Sequence, residues 1–293
     1  MSIQDRIEVN KSLKPYTTLG IGGHADKFIE INSLEDMCEI RRYVSSTNIQ
    51  YQVIGKGSNI LIDDNGFSGL IILNKIDFFR IEKPYIYTGG GTSFASLGAK
   101  SSRQNLSGLE FASGIPGSVG GAVCMNAGAN KMETFDSLVY VGCVNKNGEY
   151  LELMKESIRF GYRYSSFQDS DLIIVSACFK LRDDSKASQR QKGFIKSRLS
   201  TQPYSSKSAG CIFKNPKSIS AGKLIDSLGL KRFCVGDAQV SEMHGNFLIN
   251  KKNARSKDFL ALIALIQEKV YTKTSIKLET ELKIINDKKI KNE

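Results

Sequence analysis

Two kinds of residue in this 293-residue chain could do chemistry: glycine-rich turns able to hold an anion, and three short segments carrying an arginine, a thiol and a carboxylate. The longest glycine-rich run, residues 108–130, reads GLEFASGIPGSVGGAVCMNAGAN and has six glycines, at 108, 114, 117, 120, 121 and 128. Glycine reaches φ > 0 and lets backbone approach a ligand with no Cβ in the way. Consecutive N–H groups in such turns form concavities that suit a diphosphate. No Gly-Lys-Ser/Thr closes the run, so it is no Walker loop, and the spacing of Gly114, Gly117, Gly120 and Gly121 departs from the Rossmann dinucleotide fingerprint. A run of this kind standing alone is equally a tight structural loop. Two companions, TTLGIGGHAD at 17–26 and VIGKGSNIL at 53–61, shift the reading towards a large phosphate-bearing cofactor.

Each of the three chemical segments carries two readings. In FGYRYSSF (160–167), Arg163 among aromatic rings is either a stacked structural residue or a planar fork gripping a carboxylate in a desolvated site. In SAGCIFKNP (208–216), small residues expose Cys211 and leave Lys214 and Asn215 as donors just beyond, although a lone cysteine commonly serves as a small hydrophobe. In LETELKII (278–285), Glu281 stands on the polar face of an alternating segment, where a carboxylate is by default solvated.

The elements that must position these residues mix strands with helices. Residues 25–31 read as a strand, Ser33 with Asp36 opens a helix through Met37, Ile40 and Val44, and 51–54 is a buried strand running into the GKGSN turn. Glycines at the end of a strand are where an α/β ligand site is expected. A strand at 69–73 completes a first unit, residues 1–75. A second, 76–183, holds a strand at 85–88 before Gly89–Gly91, a helix with Phe94 and Leu97, a hairpin of 137–144 with 149–153 around Asn147–Gly148, and a long apolar strand at 171–181. The basic, polar stretch 182–202 marks the boundary to a third, 184–293. There a helix at 221–230 stops at Gly229, a strand follows at 246–250, and Ser256 caps a helix whose apolar face is Phe259, Leu262, Ile263, Ile266 and Val270. Strict alternation then predicts a last strand over 276–285.

Composition narrows the chemistry. The six cysteines include no C-x-x-C pair and there are two histidines, His24 and His244, so neither a metal centre nor a disulfide framework is expected, and a reducing cytoplasm is. A net charge of +11 with pI near 9.3 suits phosphate-bearing ligands. On charge alone a nucleic-acid binder fits as well, but no RNA-reading aromatic motif or zinc finger accompanies it. The first 18 residues carry no signal-peptide pattern, and the longest apolar run, 259–266, is too short to span a bilayer.

The segments YTTLGIGGHAD, GKGSNIL, GLEFASGIPGSVGGAVCMNAGA, FGYRYSSF, SAGCIFKNP, GDAQVSEMHGNFLIN and LETELKII occur here in the order seen in UDP-N-acetylenolpyruvoylglucosamine reductases, and the chain resembles that family from about residue 16 to 285. The short interval after FGYRYSSF resembles the subtype lacking a tyrosine-bearing lid loop. The resemblance implies an α+β fold: a two-part FAD-binding region of the vanillyl-alcohol-oxidase type (1–75 and 76–183) plus a C-terminal α+β substrate-binding domain (184–293). It implies an NADPH-using flavoenzyme of peptidoglycan synthesis with non-covalent FAD, a UDP-sugar substrate and no bound metal, nucleic acid or membrane. By motif match, Gly55, Gly57, Ser58 and Asn59 would meet the FAD diphosphate, and Ile115, Pro116, Gly117, Gly120, Gly121, Asn126 and Gly128 would line the rest of the cofactor. Lys214 and Asn215 would contact the nucleotide diphosphate. Hydride from reduced flavin would reach the enolpyruvyl carbon, Arg163 would stabilise the resulting enediolate, and Glu281, protonated and with a raised pKa, would hydrogen-bond it from the other side. Cys211 would deliver the proton.

Three departures from the family pattern stand out. Cys211 occupies the place of a common serine; a thiol near pKa 8.5 is the stronger acid, so a proton donor is kept. The segment Asn-Lys-Met-Glu at 130–133 lacks the glycines associated with the family there, which bears on cofactor contacts beyond Gly128, and Arg232 sits where a glycine is common. The rival within enzymes is another FAD oxidoreductase of the same fold, which has no need of SAGCIFKNP or LETELKII.

Overall fold

Ser33 starts a helix: its Oγ accepts the Asp36 N–H at 3.1 Å, Glu35 and Asp36 favour the positive helix terminus, and the helix Leu34–Thr47 ends at Asn48 in the left-handed region. Local rules of this kind account for most elements of the chain, seen in a computed structural model that describes residues 2–217 and 219–287. Two compact units result: residues 1–8, 27–56 and 69–198 form the first, and 9–26, 57–68 and 199–293 the second.

The first unit holds two apolar cores. In one, Met37, Ile40 and Val44 of the helix Leu34–Thr47 pack with Ile29, Ile31, Leu70 and Ile72. Tyr51–Ile54 pairs in parallel with Leu70–Leu73, and the crossover between them is long enough for a parallel pair, running through the strand Ile60–Ile62. The other core lies on a five-stranded antiparallel sheet in the order Tyr150–Met154, Leu138–Val144, Ile173–Lys180, Tyr85–Gly89, Phe79–Glu82. Phe94 and Leu97 of the helix Phe94–Arg103 are fully buried there, and Phe94 meets Phe111 edge-on at 5.9 Å. The predicted hairpin is present, with Val144 opposite Tyr150 across Asn145–Glu149.

In the second unit Lys207–Cys211, Phe247–Asn250, Ala238–Val240 and Cys234–Val235 form an antiparallel sheet in that order. The helix Ser256–Thr274 packs Phe259, Leu262, Ile263, Ile266 and Val270 into the core, the five residues its periodicity selects. Ser256 is not the cap expected of it. It is the first helical residue, and the carboxylate of distant Asp64 accepts its N–H at 3.0 Å and its hydroxyl at 2.9 Å. The helix expected at 221–230 is Ala221–Ser227, with Gly229 beyond it at φ +67°.

The last strand is shorter than its alternation suggests. Lys283–Ile285 pairs in parallel with Ile60–Ile62, and 276–282 touches a partner strand in a single bridge, Thr280 with Phe213. Leu278 and Leu282, on one face of the alternation, are buried. The extended segment is held instead by single hydrogen bonds to residues 212–214, too sparse to make a ladder.

Candidate active site

In the first unit three glycine-rich turns meet. Gly55 ends the strand Tyr51–Ile54 so close to Ser118 that a Cβ there would collide with the Ser118 Oγ. Ser118 caps the short helix Val119–Cys124, its Oγ accepting the Gly121 N–H at 3.3 Å. The triple-glycine turn after Tyr85–Gly89 closes the group: Gly90 O accepts the Gly120 N–H at 2.8 Å and Thr92 O the Val119 N–H at 2.9 Å. Gly117, at φ +137°, receives the Phe94 N–H on its carbonyl at 3.0 Å. Ile115 is half-buried and Pro116 exposed beside them. In the sequence, three successive glycines straight after a strand are the mark of 89–91. The cradle lacks the side-chain bulk that would block a diphosphate, and so fits one.

Arg163 is the second residue of a two-residue turn between Phe160–Gly161 and Tyr164–Ser165, at φ +57°. Its Nη2 donates to Gly128 O at 2.9 Å, and the guanidinium lies 5.0 Å from the Tyr162 ring centre. Gln168 Nε2 donates to the Arg163 carbonyl at 3.1 Å, fixing the turn from outside. Arg163 and Gly128 line a cavity of about 270 Å³ with Lys131, Glu133 and Asp136. Buried Asn126 stands behind it with its amide engaged by protein: Nδ2 donates to Glu133 Oε2 at 2.8 Å and Gly161 O at 2.9 Å, and Oδ1 accepts the Phe135 N–H at 3.1 Å.

Gly57, Ser58 and Asn59 belong to the second unit. Gly57, at φ +64°, lies against Tyr16, where a Cβ would strike the Tyr16 carbonyl, and its own carbonyl accepts the Thr18 N–H at 3.1 Å. The TTLGIGGHAD and GKGSN motifs are therefore in contact. Asn59 turns towards the last segment of the chain: Nδ2 donates to Glu281 O at 3.1 Å, and Asn59 O accepts the Lys283 N–H at 3.1 Å.

Cys211 ends the strand Lys207–Cys211, half-buried. The next residue, Ile212, accepts the Glu281 N–H on its carbonyl at 2.8 Å, so the thiol-bearing and carboxyl-bearing segments run side by side. Asn246 locks the same stretch, receiving the Phe213 N–H at 2.9 Å and donating to Phe213 O at 2.8 Å. Lys214 Nζ lies 3.6 Å from Glu279, and the Asn215 Oδ1 accepts the Ala221 N–H at 3.0 Å, which starts a helix. His244 takes a structural part, its Nδ1 accepting the Asn246 N–H at 3.2 Å. Of the three expected catalytic residues, Cys211 and Glu281 share one neighbourhood, and Arg163 stands in the other unit with Gly128.

Comparison with known proteins bears on this arrangement. The profile of the FAD binding domain matches residues 25–154, and that of the UDP-N-acetylenolpyruvoylglucosamine reductase C-terminal domain matches 202–285. The UDP-N-acetylenolpyruvoylglucosamine reductase of Protochlamydia amoebophila is 47% identical over 286 residues, 97% of this chain and 96% of that protein. The chain belongs to the UDP-N-acetylenolpyruvoylglucosamine reductase family. A second reductase, from Chlamydia trachomatis serovar L2, is 44% identical over 285 residues, 97% of this chain and 96% of that one. The crystal structure of the Thermus caldophilus reductase superposes with a TM-score of 0.82 at 36% identity, covering 96% of this chain and 98% of that one. As a member of the family the chain is an FAD-dependent oxidoreductase of α+β fold, its FAD-binding region preceding the family's C-terminal domain.

Proposed function

We propose that the protein reduces the enolpyruvyl group of UDP-N-acetylglucosamine enolpyruvate to give UDP-N-acetylmuramate for peptidoglycan, with NADPH as reductant, in the cytoplasm. The observation that supports this most is the Glu281 N–H bonded to Ile212 O at 2.8 Å, which sets an acid and a thiol on adjacent extended segments. Bound FAD supplies hydride transfer, the chemistry no side chain can perform. The chain's own residues place the substrate and manage charge and proton. Gly55, Gly57, Ser58 and Asn59 hold the cofactor diphosphate, and Ile115, Pro116, Gly117, Gly120, Gly121, Asn126 and Gly128 shape the rest of its site. Residues 1–75 and 76–183 serve as the two FAD-binding subdomains, and 184–293 binds substrate.

Arg163, held by its bond to Gly128 O, stabilises the substrate carboxylate, where negative charge grows as the double bond is reduced. Glu281 hydrogen-bonds the same developing enediolate, and Cys211 gives its thiol proton to the adjacent carbon. Lys214 and Asn215 meet the UDP diphosphate.

Anaerobic titration tests the whole reading. Purified protein is expected to be yellow, to bleach with NADPH, and to recover its absorbance on adding UDP-N-acetylglucosamine enolpyruvate. A flavin that bleaches with NADPH yet regains colour only with oxygen refutes the substrate assignment.

A further inference from the structure

The hairpin of Gly128–Ala129 with Met132–Glu133 turns through two residues, Asn130 and Lys131, at φ +56° and +63°. Such a turn takes Asn readily in its first place and Gly in its second, because both places need φ > 0. Lysine gains nothing from the turn itself. Its backbone sits in a region disfavoured for side chains, and among the described residues its ammonium makes no hydrogen bond or ion pair. It lines the cavity that holds Arg163. The cavity's two carboxylates are fixed by protein donors: Glu133 accepts from Asn126 at 2.8 Å, and Asp136 accepts the Glu133 N–H at 2.7 Å. Lys131 and Arg163 are the two cations of the same lining.

We infer that Lys131 is a ligand-binding residue, a second cation beside Arg163 that takes an anionic phosphate or carboxylate group of the bound nucleotide. This deepens the proposed function and rests on it. A lysine there acts as a mobile point charge, complementing the fixed fork of Arg163. The anion belongs either to the enolpyruvyl UDP-sugar or to the 2′-phosphate of the dinucleotide reductant.

Replacing the residue by the one the turn prefers separates ligand binding from folding. Lys131→Gly is expected to melt at the wild-type temperature or above, yet to raise one KM about tenfold, as loss of a charge-assisted hydrogen bond does, with kcat changed far less. Lys131→Arg is expected to restore most of the affinity. A rise in KM for UDP-N-acetylglucosamine enolpyruvate assigns the anion to the substrate. A rise for NADPH with none for NADH or the sugar assigns it to the 2′-phosphate. If all three KM values stay within about twofold of wild type, or if kcat alone falls, Lys131 is a turn residue and the inference is wrong. Wild-type protein that fails to turn over the enolpyruvyl sugar refutes the proposed function instead. Calorimetric titration with inorganic pyrophosphate then reads Lys131 by itself, a weakened Kd in Lys131→Gly upholding the inference and an unchanged one ending it.

Discussion

Arg163 sits at φ +57°, where an L-residue with a long side chain costs about 1–2 kcal/mol, and a bond to Gly128 O at 2.9 Å keeps it there. Arg232, at φ +65°, and the Asn130–Lys131 pair share the same conformation, one that glycine adopts without strain. The motifs announced those departures, but sequence alone could not say that the backbone stays left-handed once glycine is gone. Glycines differ in what they protect. Gly57→Ala is expected to lower the melting temperature and weaken flavin retention, since the new methyl would strike the Tyr16 carbonyl in addition to the conformational cost. Gly210, at φ +75° with open space around it, is the control: Gly210→Ala is expected to cost about 1–2 kcal/mol in denaturant unfolding and no more. For the proposed chemistry, Cys211→Ser is expected to keep turnover and Cys211→Ala to lose most of it, with unchanged flavin spectra in both. Equal kcat in the alanine variant removes the thiol from the mechanism.

Elements near the site are held by side chains more than by ladders. The extended stretch 278–282 has one bridge, at Thr280, and otherwise leans on residues 212–214 and on the Asn59 amide. Its alternation showed that the segment is extended and which face is buried, but not with whom it pairs, because partners lie some seventy residues away and leave no periodic trace. The helix Ser256–Thr274 was legible in full along its apolar face, since 3.6-residue spacing is a local property. Its capping carboxylate, Asp64, was not, because a cap supplied from 192 residues away obeys no spacing rule. Asn246 is the comparable anchor for the Cys211 segment, buried and bonded to both polar groups of Phe213. Asn246→Ala is expected to destabilise the protein by about 3 kcal/mol, two lost bonds plus two stranded backbone groups, as read from chemical denaturation. Asn246→Asp keeps the acceptor and is expected to recover part of that loss.

At the scale of the molecule, pH tolerance of the first unit depends on Glu110. Burial pushes its carboxyl up, but the Gly108 N–H at 2.7 Å and the Arg190 guanidinium at 2.6 Å outweigh burial and hold it below the ordinary 4.5. Asp184 is drawn down likewise by the Lys186 N–H and Arg190. A carboxyl depressed in the folded state stabilises it fully above its unfolded value and loses that contribution as pH falls through the folded one. Melting temperatures measured from pH 7 to pH 3 are therefore expected to drop below about 4.5, and to drop less steeply in Glu110→Gln. The α+β class and the family's motifs were readable from the chain, since each motif is continuous. The grouping into units was not, because the boundaries fall at 8/9, 26/27, 56/57, 68/69 and 198/199, where composition shows no break apart from the last. Leu19, Ile21 and Leu61 complete a core whose other members begin at Ala209. No single cut in the gene releases either half as a cassette: a fragment starting at residue 199 leaves those three apolar positions behind, and a nascent chain must wait for its distal third before its proximal loops have anything to bury against.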